Sequence, residues 1–168
     1  MRVITFGEIK HGWAETFFDF GPNQQVATRL SWFTDPFAGL AGLALAMMRG
    51  DDRGDVRLTD EETDWILRFQ RQANGFYTLR LEHWLLGSSI SSRGRVTLHD
   101  QWETTDIEPW QFAQELWTEL SRVRFSEGVR SWNEDREAPS PPRNQTRATS
   151  DSLNLLARAL AGDDNPRA

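Results

Sequence analysis

Apolar and polar residues alternate along much of this chain, and the alternation predicts strands more often than helices. Three strands precede residue 35 and four follow residue 50. Turns rich in glycine, proline and asparagine separate several of them, which favours antiparallel hairpins. The sequence therefore predicts an α+β fold with a single antiparallel sheet of about seven strands. The expected strands span 2–9, 13–20, 24–34, 55–59, 63–71, 76–86 and 95–104.

The turn between two of these strands predicts the register of the hairpin 63–86. A two-residue Asn-Gly turn would bring opposite faces together, since a slip of one residue inverts every side chain. A three-residue loop with Gly75 in the left-handed conformation instead pairs Phe69 with Leu79 and Leu67 with Leu81. We predict the three-residue loop. The inward faces then comprise Trp65, Leu67, Phe69, Tyr77, Leu79, Leu81 and Leu85.

Two main helices are expected to pack on the sheet. The first follows Asp35-Pro36, a good N-cap acceptor before a proline in the first turn, and Gly50 marks its end. Its residues are so uniformly apolar that it should be largely buried. The second begins near Ile107 with Asp106 as its cap and runs to about residue 125. Its apolar stripe comprises Trp110, Ala113, Leu116, Trp117, Leu120 and Val123.

The composition changes after residue 132, which predicts three parts of the chain. Residues 1–132 form the α+β core domain. Residues 133–150 contain three prolines and few apolar side chains, as is typical of an extended or mobile linker. Residues 151–161 form a short amphipathic helix, too short to be stable alone in water. Its apolar residues, including Leu156 and Leu160, must dock on the chain's own core or on another chain.

Composition and charge exclude several classes of function. The chain has no cysteine, so disulfides, thiolate metal sites and cysteine nucleophiles are excluded. Its net charge is −6, and no segment gathers a basic patch, so we expect no nucleic-acid partner. No apolar run reaches the roughly 18 residues of a membrane span, and no secretory signal is recognisable at the N-terminus. We expect a cytoplasmic protein without a membrane partner, a cofactor or a metal site.

Candidate chemistry lies on the hairpin formed by strands 76–86 and 95–104. Strict alternation places Glu82 and His99 on the outer face near one another, where a carboxylate could orient a histidine as a general base. It places His83 and Asp100 on the inward face, as a buried hydrogen-bonded pair or as the floor of a pocket. Nucleophile motifs such as Gly-x-Ser-x-Gly are absent from the sequence.

The outer face also offers candidates for binding. Arg68 and Arg80 should meet across neighbouring strands, where they could hold an anion or simply be solvated charges balanced by acids. Trp84, Phe76 and Ile66 form an expected outer apolar cluster, covered either by the chain's own terminal helix or by a partner. Five of the eight tryptophans are instead expected in the core: Trp32, Trp65, Trp102, Trp110 and Trp117.

Two segments carry a resemblance to known proteins. The segment 30–40 (LSWFTDPFAGL) leads from a strand through a Thr-Asp cap into an apolar helix, and the ending 96–132 leads from a strand to a helix and then Trp132. Both resemble small bacterial α+β proteins of uncharacterised function, and the resemblance implies no activity.

The leading hypothesis is a non-enzymatic protein-binding module, of an accessory or immunity-like kind, that binds a protein partner or forms a homo-oligomer. The alternative is a small-molecule binder or hydrolase-type enzyme that uses His99 and Glu82, or a pocket floored by His83 and Asp100.

Overall fold

The chain folds into two antiparallel sheets and three helices within the described residues. The computed structural model describes residues 3–10, 12–31, 35–60, 63–85, 97–124 and 148–162. Most of the predicted linker lies outside these ranges, as do Trp32, Trp132 and the serine-rich loop 86–96. The elements are β1 (Ile4–Lys10), β2 (Trp13–Asp19), β3 (Gln25–Ser31), α1 (Pro36–Met48), β4 (Arg53–Thr59), β5 (Thr63–Arg71), β6 (Tyr77–Leu85), β7 (Thr97–Ile107), α2 (Pro109–Arg124) and α3 (Ala148–Ala161).

The α+β class is confirmed, but the prediction of one seven-stranded sheet is wrong. Strands β1-β2-β3 form one sheet and β4-β5-β6-β7 another, with no ladder between β3 and β4. The connection between those two strands is helix α1, which packs on both sheets. Strand β4 also has the charged outer residues Arg53, Asp55 and Arg57, which are typical of an edge strand. Alternation predicts strands but not which of them pair across a helix.

Helix α1 forms the centre of the core. Asp35 accepts a hydrogen bond from the backbone N–H of Ala38 (3.0 Å), and Gly50 adopts a positive φ of 83° just past the end, so the predicted boundaries are confirmed. The ring of Phe37 packs edge-on against Phe6 of β1, with centroids 5.1 Å apart. Helices α2 and α3 and strand β4 pack on the remaining sides.

Helix α2 covers the free edge of strand β1 with an ion pair. Glu119, only 2% exposed, accepts a hydrogen bond from the backbone N–H of Phe6 (2.7 Å). Arg122 donates to the carbonyl oxygen of Phe6 and, through Nε, to Glu119 (3.0 Å). Two side chains one helical turn apart therefore provide the backbone partners that an edge strand lacks.

The hairpin β5–β6 has the predicted register. Leu67 pairs with Leu81 and Phe69 with Leu79, and Gly75 has a φ of 89°. Leu85 at the far end of β6 is an exception, since it is 39% exposed where an inward position was expected.

Strand β7 extends past its predicted end at Thr104 and finishes at Ile107. Tyr77 pairs with Ile107 and Leu79 with Thr104, so two residues of β7 oppose one of β6. This bulge holds Asp106 at a φ of 60°, within the strand. The prediction that Asp106 caps helix α2 is therefore wrong. Glu108 takes that role, since its carboxylate accepts from the backbone N–H of Trp110 (3.1 Å) and of Gln111 (2.5 Å).

The terminal helix α3 docks on the chain's own core, packed against α1 and α2. Leu153 and Leu156 are buried, and Leu160 is partly buried against the same cluster. The helix begins at Ala148, three residues before the predicted start. Among the described residues, no helix combines the length and apolar character needed to cross a membrane.

Tyr77 ties the second sheet to the end of helix α1. Its hydroxyl lies 2.9 Å from the carbonyl oxygen of Met47 and 3.2 Å from that of Asp51, and the side chain is almost fully buried. Burial raises the pKa of Tyr77 above its ordinary value of 10.0 because it disfavours the phenolate.

We predict that phenol ionisation will report this anchor directly, because Tyr77 is the only tyrosine of the chain. In the native protein, the midpoint of the rise in tyrosinate absorbance should lie above pH 10.0. In denaturant the midpoint should return to about pH 10. Since the folded state favours the protonated phenol, its contribution to stability is present below pH 10 and is lost as the pH rises through the raised pKa. Native titration at the ordinary value, with unchanged near-ultraviolet circular dichroism, would contradict the buried anchor.

Candidate functional site

A bulge at the start of strand β7 creates the principal candidate site. His83 pairs with Asp100, whereas Trp84 pairs with Leu98, so His99 has no cross-strand partner and is the extra residue. Bulges of this kind occur on edge strands and re-aim one side chain. Here the bulge brings His99 to the side of the sheet on which His83 lies.

Three side chains with metal-ligating or acid–base chemistry meet at this bulge. The imidazole rings of His83 and His99 are 5.3 Å apart between centroids and nearly perpendicular. His99 Nε2 lies 3.4 Å from Asp100 Oδ2. The cross-strand pairing of His83 with Asp100 was predicted and is confirmed. Its expected burial is wrong, because the Asp100 side chain is 54% exposed on the edge strand.

A stack of rings holds His83 in place. Its imidazole lies parallel to the indole of Trp65, with centroids 4.0 Å apart. The indole N–H of Trp65 donates to Asp60 (3.1 Å), and the other oxygen of that carboxylate accepts from Thr63. Trp102 stacks on the same indole at 6.0 Å. The position of His83 is therefore fixed from behind by the core of the second sheet.

The environment of His83 lowers its pKa below 6.5, chiefly because burial against the indole disfavours the charged ring. The neighbouring His99 lowers the pKa further, while Asp60 and Asp100 raise it. The neutral imidazole, which can accept a proton or bind a metal, is therefore favoured at neutral pH.

Glu82 does not join the two histidines, so the predicted Glu82–His99 pair is wrong. Glu82 pairs across the ladder with Gln101 and lies on the opposite side of the sheet. There its carboxylate accepts from the indole N–H of Trp84 (2.9 Å) and forms an ion pair with Arg68 (3.1 Å). The displacement of His99 by the bulge explains the difference, since strict alternation takes no account of an extra residue.

Arg68 and Arg80 lie directly opposite one another, as was predicted. Each guanidinium is paired with acids: Arg68 with Glu82 and Asp55, and Arg80 with Glu103 (2.6 Å). Both line an open groove of about 770 Å³ on the outer face of the second sheet. An anion binding there would have to compete with these carboxylates, and the anion-binding role stays a prediction.

The predicted outer cluster of Trp84, Phe76 and Ile66 is divided between the two ends of β6. Trp84 and Ile66 are diagonal neighbours across the ladder. Phe76 lies at the opposite end, eight residues away, which is about 26 Å along a strand. The partner-binding role of these residues and of Leu156 and Leu160 stays a prediction, and Leu156 is fully buried within its own chain.

A second surface, on helix α2, was missed. Trp110 and Trp117 were predicted in the core but are 45% and 37% exposed. The buried stripe of α2 instead includes Phe112 and Glu119 in their place. The sequence signal was available in the spacing, because Phe112 continues the series with Leu116 and Val123 at helical intervals. Trp110 and Trp117 are also spaced at helical intervals, but they lie on the outer face of α2.

Comparison with protein-family models, with curated proteins and with solved structures finds no match. The resemblance to small bacterial α+β proteins therefore stays a prediction. A functional assignment has to come from the residues of the chain itself.

We predict that replacing the two neighbours of His83 will move its pKa in opposite directions. His99→Gln should raise the pKa of His83, because a repelling neighbour is removed, and Asp100→Asn should lower it further. Titration followed by NMR of the imidazole carbons, assigned with a His83 variant, measures both. Since folding favours the neutral ring, the contribution of His83 to stability is present above pH 6.5 and is lost as the pH falls through the lowered pKa.

Shifts of the same sign in both variants would contradict this arrangement. His11→Gln is the control variant, because His11 is the remaining histidine of the chain and should leave the pKa of His83 unchanged.

Proposed function

We propose that this chain acts by binding another protein through the outer face of helix α2. The observation that supports the proposal is the exposure of two tryptophans, Trp110 and Trp117, on a helix whose opposite side is anchored in the core. They are seven positions apart in the helix, so their Cα atoms lie about 10 Å apart along one stripe. This stripe, together with Gln111, Gln114 and Thr118, is called the α2 face below.

The exposed side of α2 is poor in charge, which supports an interface there. Charged residues make up 26% of the chain, yet five of the six exposed α2 side chains that the structure describes are uncharged: two tryptophans, two glutamines and a threonine. The sixth, Arg122, is paired with Glu119, and the half-buried Glu115 accepts a hydrogen bond from Gln111 (3.0 Å). The buried centres of protein interfaces are depleted in charge and enriched in aromatic residues, and tryptophan is over-represented among binding hot spots. Exposed indoles therefore favour a partner with an apolar groove or pocket.

The α2 face is also rigidly supported, which favours binding with little loss of entropy. Phe112, Leu116 and Leu120 are buried beneath it. Glu119 and Arg122 fasten the same helix to the backbone of strand β1. The indoles therefore project from a fixed helix, and few side chains need to be ordered when a partner binds.

A partner of different sequence is favoured over a second copy. Each copy carries a net charge of −6, and like-charged chains repel one another on approach. The same charge disfavours nucleic acid, and Arg68 and Arg80 on the outer sheet face already have carboxylate partners. We therefore propose a protein partner, in an accessory role of the kind that the sequence favours.

We predict that Trp110→Ser and Trp117→Ser will weaken partner binding with only a modest loss of stability. Each indole at the centre of an interface contributes about 2 kcal/mol or more, so each substitution should weaken binding about 30-fold. In urea unfolding both variants should lose less stability than a variant that lacks a core indole, because neither tryptophan belongs to the buried cluster and each is more than a third exposed. Trp65→Ala is the contrasting variant, since loss of a buried indole should cost about 3–5 kcal/mol.

The partner can be captured with a photo-crosslinking amino acid at Gln114, between the two indoles, in the cells that naturally make the protein. A discrete adduct should form at Gln114, should disappear when Trp117→Ser is added, and should be absent with the same crosslinker at the exposed Gln70 of β5. Equal adducts at both positions, or marked unfolding of the serine variants, would refute the proposed interface. An adduct of twice the chain mass would show that the partner is a second copy of this chain and not a different protein.

A further inference from the structure

We propose that His83, His99 and Asp100 bind a divalent transition-metal ion, Zn²⁺ or an ion of similar ligand preference. Among the residues that the structure describes, this is the one group of three histidine or acidic side chains whose ligand atoms all lie within 4.8 Å of one another. The inference is independent of the α2 face. It also departs from the sequence-based expectation, which included no metal site.

The donor set selects the class of ion. Two imidazole nitrogens and one carboxylate oxygen suit Zn²⁺, Co²⁺, Ni²⁺ or Cu²⁺, whereas Mg²⁺ and Ca²⁺ prefer sites made of oxygen alone. Three protein ligands leave a fourth position of a tetrahedral ion open, as in catalytic zinc sites and unlike closed structural ones. The open position could take water or a ligand atom from another molecule.

The geometry is close to what an ion requires. Two ligand atoms on a tetrahedral Zn²⁺ are separated by about 3.3 Å, given metal–ligand bonds of about 2.0–2.1 Å. His99 Nε2 and Asp100 Oδ2 are already 3.4 Å apart. Both side chains are 54% exposed, so small rotations can bring them together with His83 around one ion without disturbing the core.

The backbone provides one fixed ligand and two adjustable ones. His83 is stacked on Trp65, which is itself held by Asp60. The β7 bulge supplies His99 and Asp100 as consecutive residues, and the extra residue is what allows both to approach His83. Without the bulge, His99 would lie opposite Trp84 on the other side of the sheet, and only two ligands would remain. The bulge therefore supplies the third ligand of the proposed site.

Zinc binding to the full-length chain at pH 7.5 tests the proposal by isothermal titration, with Zn²⁺ alone as the probe. Wild type should bind one equivalent. His83→Phe keeps an aromatic ring against Trp65 while removing the ligand, and His99→Gln and Asp100→Asn remove the other two. Each variant should weaken binding at least about tenfold, since even indirect supporting residues contribute 10–100-fold in metal sites.

His11→Gln is the matched control, because it removes the third histidine of a chain that has no cysteine. It should leave zinc affinity unchanged. Thermal unfolding of each variant without metal shows whether a loss of binding reflects a lost ligand or a lost fold. With Co²⁺ as a second probe, the wild-type chain should give intense visible bands of a low-coordinate site, and His99→Gln should abolish them. Excess Mg²⁺ should not displace either ion.

Two results would overturn the proposal. Zinc binding that His11→Gln weakens as much as His99→Gln would show adventitious capture by histidines that form no site. The absence of one-to-one binding at millimolar Zn²⁺, in a wild-type chain shown to be folded, would exclude the site altogether.

Discussion

The fold depends on the need to cover helix α1 on nearly every side. Its thirteen residues, PFAGLAGLALAMM, include no polar side chain, and Gly42 is its single exposed position. No lone sheet can bury such a helix, because a sheet covers only one side of it. Two sheets and two helices therefore surround α1, and the chain forms a three-stranded and a four-stranded sheet instead of one continuous sheet.

This arrangement leaves sheet edges that the remaining residues have to protect. Glu119 and Arg122 form hydrogen bonds with the backbone N–H and carbonyl oxygen of Phe6 on β1. Because these contacts fix which side of α2 faces β1, Trp110 and Trp117 point outward. Strand β7 is interrupted by two bulges, which disfavour pairing with another chain. The first of these bulges also brings His99 to His83. Both candidate surfaces, the α2 face and the cluster of His83, His99 and Asp100, thus lie beside a sheet edge that is protected from pairing with another strand.

Local patterns predicted the elements whose causes are local. The cap at Asp35, the glycine end of α1 and the loop at Gly75 all depend on a few neighbouring residues, and each was correctly predicted. Strand pairing across α1 is non-local, and alternation contains no information about it. The position of His99 depended on one extra residue in β7, which shifted the candidate site from a Glu82–His99 pair to a cluster with His83 and Asp100. Helical spacing also placed Trp110 and Trp117 on the apolar stripe of α2, but the buried stripe includes Phe112 instead, so both indoles lie outside it.

The central role of α1 is tested most directly by comparing Gly39→Ala with Gly42→Ala in urea unfolding. Both changes raise helix propensity by about 1 kcal/mol. Gly42 faces open space, whereas a Cβ at Gly39 would overlap the side chain of Val56 on β4. We expect Gly42→Ala to be more stable than wild type, and Gly39→Ala to be less stable than Gly42→Ala by about 1–3 kcal/mol, the usual cost of overpacking. Equal stabilisation by both substitutions would show that α1 does not pack on β4 as described, and would contradict the account.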